Sequence, residues 1–265
     1  MGPANISCET RRDGADAQTP LREALRSQGF VHLFASEAGY AADHPHAWAE
    51  LAKLWNDLPQ DQYMRDSGTY RNRRFGRFTL DRETGVLAPN PDAVFVQSAE
   101  INRFAGGIAR RFAPLQEGFS NHPLFRWLVS WYAGLLPDAG RFWSVDVHVI
   151  RITASRGQAG NPTPEGIHRD GQDYVAMTLL ARGSNAVGAE SGIYDQHKRP
   201  LFSHTLREPL EAILVDDRRV LHDASLLAPG GEADSVTRDM LFFNFNAKPD
   251  IDDEKRSHDL ARPKA

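Results

Sequence analysis

Between Phe142 and Phe245 the sequence breaks into short β-branched and aromatic runs separated by glycine, proline and charged residues, with no helix-length segment among them. From Trp143 to Thr153, Val145, Val147 and Val149 alternate with Asp146 and His148, the period of a strand with its polar groups on one side. Further strands are expected at Asp173 to Ala181, Ala189 to Tyr194, Leu201 to Leu206, Glu211 to Asp216 and Ser235 to Phe245. Many short strands without crossover helices argue for antiparallel sheets that close on themselves, as in a jelly roll or cupin-like barrel.

The first half has the other period. Trp48, Leu51, Leu54, Trp55 and Leu58 recur at helical spacing before Pro59, and Phe125, Trp127, Leu128, Trp131, Leu135 and Leu136 do so before Pro137. Leu21 to Gln28 reads as a short helix and Gly29 to Phe34 as a strand. The fold class expected is therefore mainly β with an α-helical first half. Its 265 residues can bury a large core. One domain is expected over residues 19–246, with mobile polar tails at 1–18 and 247–265.

A formal charge of −4 offers no surplus of basicity for nucleic acid or an acidic membrane. The single cysteine, Cys8, forms no intramolecular disulfide, no window approaches a membrane-spanning run, and the start lacks an apolar core of signal-peptide length. A cytoplasmic protein is expected, with a homodimer left open and neither nucleic acid nor membrane as partner.

The chemistry concentrates in His168-Arg-Asp170, His222 and Arg238. Two imidazoles and a carboxylate can occupy one face of an iron(II) ion and leave the other open. His168 and Asp170 lie in the Pro/Gly-rich segment Asn161 to Gly171, where a rigid scaffold carries chemistry on a loop. The competing reading makes His168 a partner of a loop carbonyl and His222 a satisfied core histidine. Zinc hydrolysis also uses such a triad. A kinase catalytic loop is excluded, because Val175 stands where its asparagine would be and no glycine-rich phosphate loop accompanies it.

Arg238 adds a second constraint. Alternation places it with Met240 and Phe242 on one face of a strand, opposite Asp239, Leu241 and Phe243. A guanidinium buried there needs a carboxylate, from the protein or from a ligand. A dicarboxylic co-substrate that chelates iron at one end and meets Arg238 at the other satisfies that need.

These residues sit in a wider pattern. Pro164-Glu-Gly-Ile-His-Arg-Asp-Gly171, Gly192-Ile-Tyr-Asp195, Leu221-His-Asp223 and Thr237-Arg-Asp-Met-Leu-Phe-Phe243, with Trp55 to Tyr63 and Tyr70 to Phe78 upstream, resemble the bacterial iron(II)/2-oxoglutarate dioxygenases typified by L-isoleucine dioxygenase. The resemblance spans roughly residues 45–246. It implies a double-stranded β-helix, His168, Asp170 and His222 as iron ligands, and Arg238 as the 2-oxoglutarate anchor. It also implies hydroxylation of a small amino-acid substrate with dioxygen, releasing succinate and carbon dioxide. The other readings to be set beside it are a metal-binding sensor without oxygenase activity, an oxygenase acting on a protein or nucleic acid, and the zinc hydrolase.

For the substrate, Arg71, Arg73, Arg74 and Arg77 offer carboxylate clamps, with Arg74 the residue selected. Glu165, Asp146 or Tyr174 is expected to receive an α-amino group. Thr178 is expected to support the 2-oxoglutarate carboxylate. For each, an ordinary solvated or packed role is the alternative. His148 is a pocket candidate, whereas His197 and His204 read as turn residues.

Overall fold

The computed structural model describes residues 13–34, 46–64, 66, 68–91, 94–95, 109–137 and 140–248. Helices α1 (Asp13–Gln28), α2 (Ala47–Ala52, continued by a 3-10 turn at Lys53–Trp55) and α3 (Pro123–Leu135) belong to the first half. The strands are β1 (Phe30–Leu33), β2 (Arg71–Asp81), β3 (Leu87–Pro89), β4 (Phe142–Ser155), β5 (Tyr174–Arg182), β6 (Ala186–Gly188), β7 (Ser191–Tyr194), β8 (Pro200–His204), β9 (Ala212–Asp216), β10 (Leu221–Ala224), β11 (Leu227–Pro229) and β12 (Ser235–Lys248).

All strand pairings are antiparallel, in a seven-stranded sheet of order β1-β9-β5-β12-β4-β2-β3, a three-stranded sheet β10-β7-β8 and a pair β11-β6. This is the double-stranded β-helix, or jelly roll, expected from the strand pattern. Strand parity divides its core. Val145, Val147 and Val149 of β4 join Leu241, Phe243 and Phe245 of β12 in a cluster with Phe125, Leu128 and Tyr132 of α3. Val175, Met177 and Leu179 of β5 turn the other way, to meet Ile193 of the small sheet and Met240. The large sheet therefore has a dry face against helices and an inner face toward the small sheet.

The expected tails are shorter than read, and one histidine is placed differently. Helix α1 begins at Asp13 and runs through Pro20, so residues 13–18 of the expected tail are helical. Strand β12 reaches Lys248 by pairing with Phe142, which orders the first two residues of the expected C-terminal tail. The remaining tail residues, 1–12 and 249–265, lie outside the described residues, as does Cys8. His204 ends a strand, not a turn. No helix among the described residues is long and apolar enough to cross a membrane.

Candidate active site

The inner face of the large sheet and the small sheet enclose a cavity that contains His168, Asp170, His222 and Arg238 among its lining residues. His222 sits on β10, which is held to β7, and its backbone exchanges two hydrogen bonds with His168, at 2.8 and 3.0 Å. That bridge brings together residues more than fifty positions apart in the chain.

Asp170 is positioned from below. The carboxylate of fully buried Asp217 accepts the backbone N–H groups of Asp170 at 3.1 Å, Gly171 at 2.6 Å and Gln172 at 2.9 Å. Gly171 makes this turn with φ 78°, where a side chain would be strained. The His168 Nδ1–H donates to the Gly166 carbonyl at 2.9 Å, which aims Nε2 at the cavity.

The ligating atoms of His168, Asp170 and His222 all lie within 4.8 Å of one another. His168 Nε2 is 3.6 Å from Asp170 Oδ1, and His222 Nε2 is 3.9 Å from Asp170 Oδ2. His222 Nε2 is buried without a hydrogen bond, the carboxylate oxygen Asp217 Oδ1 standing 3.4 Å away. A buried polar atom in that position costs stability unless something binds it, and two imidazoles with one carboxylate are the donor set of a facial iron(II) site. The residues present thus fit a divalent metal. Burial alone would press the His168 imidazole down, but the Asp170 carboxylate lifts it to about 9. Burial pushes the Asp170 carboxyl up, and the two histidines outweigh it to hold it well below its usual range.

Arg238 is 3 % exposed and shares the inner face with Met240, Phe242 and Asn244, as alternation predicts. Its recorded hydrogen bond is to Ser191 Oγ at 3.4 Å, and its buried Nε has no partner. No carboxylate forms an ion pair with it among the described residues. Burial and the charge of Arg182 push its guanidinium down to about 10. Arg238 is thus a buried cation on the cavity wall for which the described residues supply no anion.

Another wall is built from β2 and β4. Arg71, Arg73, Phe75 and Arg77 share the inner side of β2, while Phe78 and Leu80 turn to the helical core. Asp61 is buried, bonding Arg71 Nε at 2.8 Å and standing 3.5 Å from Arg73 Nη1. Arg73 Nη2 donates to His148 Nδ1 at 2.6 Å. Burial and this guanidinium hold His148 well below its ordinary value, so it is a neutral imidazole with its proton on Nε2. Arg110, bridged to Phe95, completes that wall. Glu165 faces the triad, with Oε1 3.7 Å from His168 Nε2.

Four expected site residues do not line the cavity. Arg74 lies on the outer side of β2, bonded to the Asp57 and Pro114 carbonyls and paired with the Asp57 carboxylate, because parity turns it opposite to Arg73. Thr178 faces the helices and shares a 2.6 Å hydrogen bond with the Tyr132 hydroxyl. Asp146 is on the inner side but is held by both arms of Arg77, at 2.5 and 2.7 Å. Tyr174 faces Trp143 and receives Arg218 Nη2 at 2.7 Å. Glu165 is at the cavity as expected.

A family model described as 2OG-Fe dioxygenase matches residues 52–244. L-isoleucine-4-hydroxylase from Bacillus thuringiensis is 24 % identical over 232 residues, covering 84 % of this chain and 93 % of that protein. 3(1)-hydroxy-L-isoleucine 4-dioxygenase from Pantoea ananatis (strain AJ13355) is 23 % identical over 201 residues, covering 74 % and 79 %. The crystal structure of a BsmA homologue from Methylobium petroleophilum PM1 superposes with a TM-score of 0.78 at 29 % identity, covering 87 % of this chain and 93 % of that one.

Proposed function

The chain belongs to the 2OG-Fe dioxygenase family, which uses iron(II), 2-oxoglutarate and dioxygen, and from that premise we propose that it hydroxylates a small amino acid, with His168, Asp170 and His222 holding the metal and Arg238 the distal carboxylate of the co-substrate. The observation that carries this reading is Arg238, buried on the cavity wall with no carboxylate among the described residues paired to it. A ligand carboxylate at the guanidinium would offset its desolvation and make a bidentate contact.

When bound, iron and 2-oxoglutarate supply the oxidising chemistry, the co-substrate leaving as succinate and carbon dioxide. The chain's own residues supply orientation. Asp217 fixes the backbone that carries Asp170, and the His168–His222 backbone bridge fixes the two imidazoles relative to each other. Arg71 and Arg73, both lining the cavity, are placed to receive the substrate carboxylate, and Glu165 its ammonium. Phe95, Ile150, Met177 and Phe242 form the apolar lining for its side chain. His148, neutral with Nε2–H, is a donor that needs no titration to work. The isoleucine-type substrates named for two relatives support a branched aliphatic amino acid as the first to try.

The test is anaerobic iron reconstitution followed by succinate release in air with a panel of amino acids. Substrate-dependent succinate, with a hydroxylated amino acid formed in equal amount, is expected. Absence of coupled turnover with every free amino acid, from protein that binds both iron and 2-oxoglutarate, would overturn the substrate assignment.

A further inference from the structure

A second constellation of metal-ligating side chains stands apart from the residues assigned above. His32 comes from β1, His204 from the end of β8, and Glu211 from the residue just before β9. These three also present one ligand atom each within 4.8 Å of one another. His32 Nε2 is 2.8 Å and His204 Nε2 2.7 Å from the same Glu211 oxygen, Oε1. The rings lie with centroids 4.3 Å apart.

The carboxylate is aimed. Its other oxygen, Oε2, accepts the backbone N–H groups of Arg207 at 2.6 Å and Glu208 at 3.1 Å, which leaves Oε1 directed at the two imidazoles. Glu211 is 4 % exposed, and no lysine or arginine forms an ion pair with it among the described residues. Burial pushes its carboxyl up, but the two backbone N–H groups and the two histidines outweigh that and keep it ionised. The backbone donors that hold Oε2 bring no net charge to this buried anion, and a divalent cation beside Oε1 would supply a countercharge.

We propose that His32, His204 and Glu211 form a second metal site, selective for a borderline divalent ion such as zinc. Two nitrogens and one oxygen from three elements make an open tetrahedral set, with solvent as the fourth ligand beside half-buried His204. Ligand atoms about 2.0–2.1 Å from a zinc ion stand a little over 3 Å apart, so the two distances from the imidazoles to Glu211 Oε1 need to open by only about half an ångström. Each Nε2 donates to the Glu211 carboxylate in this structure, and metal binding would move that proton to Nδ1 and turn the Nε2 lone pair to the ion. Strand β1 is the edge of the seven-stranded sheet and β8 the edge of the three-stranded sheet. The ion would therefore clip together the open edges of the two sheets.

The test is zinc titration in competition with a chromophoric chelator, on the full chain without added iron. The parent is expected to take up two equivalents, His204→Ala one and His222→Ala one, with the double variant His204→Ala/His222→Ala binding none within the chelator's range. Cobalt(II) substitution gives a second readout, since His222→Ala should retain a tetrahedral visible spectrum that the double variant lacks. If His222→Ala does not fold, as judged by circular dichroism, the loss of one equivalent between the parent and His204→Ala decides. Equal stoichiometry in those two proteins would overturn the site and leave the cluster as a hydrogen-bonded clamp. The comparison of the parent with His204→Ala is independent of amino-acid turnover.

Discussion

Thr178 Oγ1 and the Tyr132 hydroxyl lie 2.6 Å apart, both buried, in the seam where β5 packs on α3. The bond joins sheet to helix on the dry face and points away from the cavity. Thr178→Val keeps the β-branched shape and strands the Tyr132 hydroxyl without a partner, which should cost about 1–3 kcal/mol of stability. Chemical denaturation should record that loss while the KM for 2-oxoglutarate stays within about twofold of the parent. A large rise in that KM at unchanged stability would return Thr178 to the co-substrate.

Neighbours on β2 separate by parity. Arg73 is 7 % exposed on the inner face beside His148, while Arg74 faces outward to Asp57. Arg73→Lys loses the planar fork and should raise the substrate KM by about 10- to 100-fold, the worth of one charge-assisted hydrogen bond. Arg74→Ala removes a partly exposed pair worth about 0–1 kcal/mol and should leave kinetics unchanged. Steady-state succinate assays on the two variants distinguish them, and equal KM values would remove Arg73 from substrate binding.

Asp61 balances the arginine wall. Burial pushes its carboxyl up, but Arg73 and then Arg71 outweigh that, so its folded pKa lies below the ordinary 3.8. A depressed carboxylate contributes stability that is present above its unfolded pKa and lost as pH falls through the folded one. Asp61→Asn should therefore cost about 3–5 kcal/mol near neutrality by leaving two guanidinium groups uncompensated. The difference from the parent should shrink below about pH 4, as protonation removes the same charge from the parent. Denaturant midpoints measured across pH would show a constant difference instead if Asp61 acted only through packing.

Much of this was legible before the fold, and the exceptions have physical causes. The convergence of His168, Asp170, His222 and Arg238 on one cavity was readable because ligand chemistry restricts residue type and because alternation along β12 survives at Met240 and Phe242. Strand β2 was not read as a strand. Its inner face is charged at Arg71, Arg73 and Arg77, and its outer face begins with Asn72 and Arg74, so the polar cavity erases the alternation that marks a half-buried strand. Without that strand, nothing separates Arg73 from Arg74. Phe95 and Arg110 lie outside the named strands and meet across an isolated bridge, so no periodicity marks them in sequence. Asp217 reads in sequence as part of a solvated turn, Asp216-Asp-Arg-Arg219, and only its burial beneath Gly171 distinguishes it.

That role of Asp217 is testable by itself. Asp217→Asn exchanges one acceptor oxygen for an NH2 group facing backbone donors, which should loosen the loop that carries Asp170. Iron(II) affinity is expected to fall by about 10- to 100-fold, the usual effect of disturbing a ligand's support. Equilibrium competition with a chelator measures it, and an unchanged affinity in folded protein would limit Asp217 to a structural part.

Arg238→Lys separates co-substrate anchoring from metal binding. The lysine keeps the charge on the same buried wall but cannot make the planar two-point contact, and the nearest recorded partner, Ser191 Oγ, offers little compensation at 3.4 Å. Losing one charge-assisted hydrogen bond costs about 1.5–3 kcal/mol, or roughly 10- to 150-fold in 2-oxoglutarate affinity. Iron affinity should stay near the parent value, because the guanidinium is not among the ligand atoms. His222→Ala should show the opposite pattern, losing metal and turnover together. Anaerobic titration of 2-oxoglutarate into iron-loaded protein, followed by the charge-transfer absorption of the chelate, reads both quantities in one experiment. Binding as tight in Arg238→Lys as in the parent would mean that the buried cation serves packing within the sheet and that the co-substrate carboxylate is held elsewhere.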